Sequence, residues 1–263
     1  MRLGLYRELA RYGWRRQTSY RAATLAGMFT NSVFALVQGA VLVAALHAAH
    51  GSIGGYDERD ALTYVWLAQA LIGPLAIFGG RELADRIRTG DVATDFARPV
   101  TLPSWWLATD IGRAGSAFVF RAIPQFLVGA LLFSLLVPTS ASRWLAVAAS
   151  AWLAVVVSFA LHMLGNLAVF WTVEPRGPLA AQTLLLVGLS GMLLPLSFFP
   201  TPAYDLLRVL PWAAAVQGPV DVFLGHGSTP ATLGLQALWA VALMAATHAV
   251  ARAAHHKLVV QGG

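Results

Sequence analysis

The chain has 263 residues, 57% of them apolar and only 11% charged, with a formal net charge of +6. A soluble globular domain carries about 25% charged residues, so this composition, with a mean hydropathy of +0.64, argues against a protein that lives in water. There is no cysteine, which excludes disulfides, thiolate zinc sites, iron–sulfur clusters and cysteine nucleophiles.

The first predicted element is an amphipathic arm over about residues 3–21. Leu5, Leu9 and Tyr12 fall on one helical face and Arg7, Arg11 and Arg15 line up four apart on another. Such a helix lies on the inner leaflet with its arginines at anionic headgroups, and it can also rest on a cytoplasmic partner. Nucleic acid is not expected, because the arginines sit beside a membrane span with no recognition fold. A hydrocarbon core about 30 Å thick asks for roughly 20 apolar residues in a helix. Six stretches meet that length, at 25–46, 61–79, 115–137, 144–171, 179–199 and 231–251. Arg121 is the only charged residue inside them. Gly73–Pro74 and Pro124 permit kinks in the second and third. The expected fold is therefore all-α and integral to the membrane: a helix over 1–24, a six-span domain over 25–251 and a tail over 252–263.

Fifteen of the 18 basic residues fall on the side that holds both termini, leaving only Arg59, Arg143 and Arg208 opposite. The positive-inside rule then puts both termini in the cytoplasm of a multi-pass protein. No cleavable signal peptide is expected, since the first apolar run starts late and is long.

Between the second and third stretches, residues 80–114 read GRELADRIRTGDVATDFARPVTLPSWWLATDIGRA and hold five of the 12 acidic residues. Leu83, Ala84 and Ile87 share one face of a short helix, with Arg81, Glu82, Asp85, Arg86 and Arg88 on the other. Gly90 is its expected stop. Asp91 is placed to cap a second short turn, which Arg98–Pro99 would end. Trp105 and Trp106 suit an interfacial belt. A two-signed helix of this kind reads as a docking surface. Residues 200–225 carry four prolines and are otherwise apolar, which suits short helices in the outer interface, as a gate or as a structural lid.

The only lysine is Lys257, so no phosphate-cradling GxxxxGK[ST] loop exists and this chain cannot hydrolyse ATP by itself. No catalytic residue and no metal site is assigned. Asp91, Asp95 and Asp110 allow an alternative, a membrane-embedded metal-dependent lipid-headgroup transferase, but the flanking glycines and further aspartates such enzymes use are missing. Gln38, Gln69, Gln125, His162 and Asn166 are polar residues within spans. They either bond between helices or line a pathway.

This layout resembles the permease subunits of type-2 ABC exporters of bacteria, and RIRTGDVATDFARPVTLP (86–103) resembles the cytoplasmic motif of one branch. The resemblance implies an inner-membrane exporter in which a second permease, identical or related, pairs with this one. Two separate ATPase subunits would bind ATP and magnesium, with no cofactor on this chain. It implies an interface helix bearing Arg7, Arg11 and Arg15. It also implies ATPase coupling through Arg81, Glu82, Asp85, Arg86, Arg88, Asp91 and Asp95, with Glu174 as a second contact.

Overall fold

The computed structural model describes residues 2–18, 21–172 and 174–261, and no strand occurs among them. The join of the arm to the first apolar stretch and the last two residues of the tail lie outside the described residues. The helices in chain order are α1 (Arg2–Thr18), α2 (Arg21–Ala48), α3 (Glu58–Leu71), α4 (Glu82–Thr89), α5 (Val92–Phe96), α6 (Leu102–Ala117) and α7 (Ile123–Leu132). They continue as α8 (Ala141–Leu167), α9 (Val169–Thr172), α10 (Arg176–Leu189), α11 (Thr201–Leu207), α12 (Gln217–Leu224) and α13 (Thr229–Gln261). Among the described residues, four helical runs are long and apolar enough to cross a membrane: Ala22–Ala48, Leu102–Leu132, Ala141–Thr172 and Thr229–Lys257. The other two apolar stretches are broken. The second is α3 followed by turns through Phe78, and the fifth is α10 followed by irregular chain from Ser190.

A broken helix at membrane depth is tolerated only where its freed peptide groups find partners. In the second stretch they do. The break falls at Gly73–Pro74, whose carbonyls accept from Arg113 Nη1 at 2.8 Å and Nη2 at 2.7 Å. The next freed carbonyl, Leu75, accepts from Ser158 Oγ of α8 at 2.7 Å. The break in the fifth stretch is served the same way. Gln38 Nε2 of α2 donates to the carbonyls of Met192 at 3.1 Å and Leu193 at 2.6 Å, and the Ser190 carbonyl takes the Gln217 N–H at 2.9 Å.

The third stretch differs from its expected bounds. Helix runs from Leu102 to Leu132, so it starts well before residue 115 and stops short of 137. Pro103 sits in its first turn, where a missing N–H costs nothing. Asp110 and Arg113 were read as part of a connector, yet they lie inside the helix because they neutralise each other at 2.5 Å. Trp105 and Trp106 are likewise helical. At Phe118–Ala122 the helix widens to a π turn, closed by the Ile123 N–H on the Phe118 carbonyl. Pro124 follows, and having no N–H it cannot bond the Phe120 carbonyl; the wider turn takes up the mismatch. The kink expected at Pro124 is thus a π turn with Arg121 upon it.

Two apolar clusters hold the bundle. The larger gathers Tyr64, Trp66, Leu75, Val157 and Leu186 with their neighbours. The smaller joins α4 and α5 to the ends of α8 and α13 through Leu83, Val92, Met163, Leu167 and Ala254. The arm packs along α6, and its buried residues are Leu9 and Gly13. Tyr12, on the face of Leu5 and Leu9, is 58% exposed, and it is Gly13 that lies where the two helix backbones meet.

Residues 200–225 form α11, a run of turns and α12. α12 is buried almost throughout and carries a polar knot. Gln217 Nε2 donates to Asp221 Oδ1 at 2.7 Å and to the Tyr56 hydroxyl at 3.1 Å. Its Oε1 accepts from the Leu196 N–H at 3.1 Å and from Tyr64 at 3.3 Å. Burial pushes the Asp221 carboxyl up to about 7, against hydrogen bonds from Gln217 and Tyr56 that pull it down. The folded state therefore holds that proton more tightly than the unfolded chain. Stability falls as pH rises from the ordinary value of 3.8 towards about 7, and is level above it. Melting of the purified protein between pH 5 and 8 should show this slope, and Asp221→Asn should flatten it.

Candidate coupling hook and adjoining cavity

α4 and α5 form a hook between α3 and α6. Gly90 ends α4 as expected, in the left-handed region at φ 83°. The start of α4 is less ordinary. Arg81 occupies the N-cap but makes no capping bond. The cap comes instead from α8: Asn166 Oδ1 accepts from the Ala84 N–H at 2.8 Å, while its Nδ2 donates to the carbonyls of Gly80 at 2.7 Å and His162 at 2.8 Å. Two of these three bonds, to Ala84 and Gly80, hold the hook on the bundle; the third stays within α8.

The far limb is held by Asp95, which is only 2% exposed. Arg86 donates to it from Nε at 2.7 Å and Nη2 at 3.1 Å, and Arg98 from Nη2 at 2.8 Å. Arg98 also lies over the Trp105 ring, 3.7 Å from its centroid. Asp95 therefore faces inward as the clamp of the hook. Asp91 stands at the N-cap of α5 without making the expected capping bond; its carboxylate accepts from Thr89 Oγ1 at 2.7 Å instead. α5 ends at Phe96, just short of Arg98–Pro99. Charge-assisted bonds contribute roughly 1.5–3 kcal/mol each. Asp95→Ala should therefore destabilise the hook by about 2–3 kcal/mol, read as faster proteolysis within residues 86–98, with Asp95→Asn in between.

The remaining charges face outward. Arg81, Glu82, Arg88 and Asp91 are exposed, and Asp85 is half-buried beside Arg81 at 3.7 Å. Glu82 meets Arg16 of the arm at 2.6 Å. Both partners are about half exposed, so this contact sets geometry more than stability. Glu174, 63% exposed, pairs loosely with Arg176 at 3.8 Å. On the arm, Arg7, Arg11 and Arg15 are exposed.

Of the polar residues within spans, Gln38, Gln69 and Gln125 bond between elements, as Asn166 does at the hook. Gln38 serves the fifth stretch and accepts from Gln69 Nε2 at 3.1 Å, and the buried Gln125 donates to Ser32 at 3.2 Å. His162 and Asn166 also line a cavity of about 540 Å³. It lies between the arm, the break after α3, α6, the π turn and α8. Sequence spacing did not point to Arg113 or Arg121 here; the signal was the basic residue within an apolar stretch. The aspartates of the transferase alternative do not converge: Asp95 is held by two arginines and Asp110 by Arg113. Among the described residues, no group of three histidines or carboxylates is placed to hold a metal.

Apolar helices of spanning length point to an integral membrane protein. A family model described as ABC-2 family transporter protein matches residues 33–262. The chain belongs to that family: it is a type-2 ABC permease, a membrane transporter component, and membership implies partnership with ABC ATPase subunits. No curated protein matches it.

Proposed function

We propose that this chain is the permease of an ATP-driven exporter in a bacterial inner membrane. Two ATPase subunits, which bind ATP and magnesium, sit beneath it, and a second permease, identical or related, completes the pathway. Both termini face the cytoplasm, as the arginine distribution implies. The six apolar stretches all cross, the second and fifth as broken helices, and residues 200–225 close the outer side. The arm acts as the interface helix.

The observation that carries this reading is the hook. It offers Arg81, Glu82, Arg88 and Asp91 to a partner, yet is tied to α8 through Asn166 and closed on itself through Asp95. A push received there passes to the bundle as a rigid displacement. ATP-driven closure of the motor dimer would tip the pathway from inward to outward opening. Glu174 is assigned as an auxiliary contact, and Asp95 and Arg86 as supports of the hook rather than contacts.

The test is co-purification with the ATPase encoded nearby. Glu82→Lys, Asp85→Lys and Asp91→Lys together should lower retention of the ATPase at least tenfold and abolish transport, with permease yield unchanged. Full retention and full transport would remove this assignment.

A further inference from the structure

The cavity beside the hook holds one unbalanced positive charge. Three guanidinium groups line it. Arg16 is paired with Glu82 at 2.6 Å and Arg113 with Asp110 at 2.5 Å. Arg121 has no carboxylate within 4.0 Å and no hydrogen bond among the described residues. Its place is nevertheless built. The π turn carries it inward, and Gly27 of α2 and Gly73 at the break leave it room: a Cβ at Gly27 would meet Nη2 at 2.5 Å, and one at Gly73 would meet Nε at 3.3 Å. A half-buried guanidinium with five donors and no acceptor is costly to hold.

Two further groups in the same wall lack partners. His162 is 7% exposed, and its Nδ1 donates to the Ser158 carbonyl at 2.7 Å. That bond keeps the proton on Nδ1; Nε2 makes no hydrogen bond within 3.5 Å, although the Ile77 backbone also lies beside the ring. Trp106 Nε1 is a buried donor with no partner. The rest of the wall includes Phe78, Phe159 and Met163. The volume of about 540 Å³ lies within the range of drug-sized ligand sites, roughly 300–1,000 Å³.

From this we infer that the cavity binds an amphiphile with a single anionic head that also carries one hydrogen-bond donor, such as a phosphate monoester or a hydroxyl-bearing phosphodiester. The head pairs with Arg121 and accepts from Trp106, its hydroxyl donates to His162 Nε2, and its alkyl chain lies on Phe78, Phe159 and Met163. This names a cargo or lipid class for the permease and so rests on the proposed function. The binding itself needs neither ATPase nor nucleotide.

The experiment uses the full chain in phosphatidylcholine nanodiscs at about pH 5, below the second phosphate pKa of about 6, where decyl phosphate is a monoanion with one P–OH. It is titrated with decyl phosphate and with decyl maltoside and read by calorimetry. Decyl phosphate should bind at least tenfold more tightly than the maltoside. Arg121→Gln should erase that preference, Arg121→Lys should keep part of it, and Gly27→Ala, which crowds the guanidinium without touching its charge, should weaken it. Trp106→Phe and His162→Phe should each lower the affinity for decyl phosphate several-fold. Equal affinity for the two amphiphiles, or an unchanged preference in Arg121→Gln, would overturn the inference. Mass spectrometry of lipid carried through purification separates the sources. Anionic phospholipid retained by the native protein and lost in Arg121→Gln marks a bilayer lipid; no retained lipid with decyl phosphate binding intact marks a transported cargo. If the Arg121-dependent preference holds but no ATPase co-purifies, the transport reading fails and the site stands. If the ATPase co-purifies and the preference is absent, the site fails and the transport reading stands.

Discussion

Asn166→Leu should leave the permease folded and membrane-inserted but uncouple it from its motor. Leucine nearly matches the shape of asparagine and removes every polar contact. The Ala84 N–H and the Gly80 carbonyl, which now meet Asn166 at 2.8 and 2.7 Å, lose their partner. A buried polar group left unpaired costs about 1–3 kcal/mol, so two shift the docked hook by roughly 2–6 kcal/mol, a factor of about 30 to 25,000 in its population. Hydrogen exchange at the Ala84 amide should accelerate by that order. Transport-coupled ATP hydrolysis should fall at least tenfold, while ATPase retention changes little because the exposed charges of α4 remain. Asn166→Asp keeps the acceptor for Ala84 and loses the donor to Gly80, so it should fall between. Slow exchange at Ala84 in Asn166→Leu would show that the hook is held by other contacts.

The second large effect concerns the seam between α1 and α6. A Cβ on Gly112 would overlap the Ala10 carbonyl, and one on Gly13 would overlap the Thr109 carbonyl. Both obstacles are backbone, so neither can turn aside as a side chain would. Small residues permit this kind of close helix approach in membranes. Gly112→Ala should push the arm off α6 at a cost of about 1–3 kcal/mol, the usual range for overpacking. Arg16 would then be drawn away from Glu82. Spin labels on α1 and α6 should report a separation of several ångströms and a broader distribution. Gly13→Ala should do the same, and the double variant should cost less than the sum, because either one alone opens the seam. An unmoved arm in Gly112→Ala would mean that the bundle yields instead.

How much of this was legible without coordinates depended on whether the cause was local. The stop at Gly90 was readable because one residue type readily adopts the left-handed backbone found there. The break at Gly73–Pro74 was readable for a similar reason. What receives its carbonyls was not: Arg113 lies 40 residues on and reads as one charge among many in a connector. The same blindness misplaced the third stretch. Asp110 and Arg113 look too polar for a helix of spanning length until their mutual neutralisation is seen. Asn166 illustrates the limit best. Its position one helical turn from His162 suggested a shared face, and nothing nearby in the chain announces that it caps a helix 82 residues earlier. Gln38 stands out in the sequence as a polar residue in an apolar stretch, bonding between helices or lining a pathway, and its amide serves the broken fifth stretch.

Arg113 also bears on how the chain is made. A helix carrying an arginine and an aspartate is a poor candidate for entering lipid unaided, since such residues resist insertion by about 2.5–3.5 kcal/mol at mid-bilayer. The peptide oxygens that receive its guanidinium belong to residues 73 and 74, which leave the ribosome first. The acceptor is in place before the cation arrives, so synthesis from the N-terminus delivers Arg113 to a waiting partner. Moving residues 231–251 to the front, as a circular permutation could, preserves this order; moving residues 102–132 ahead of residues 61–79 does not.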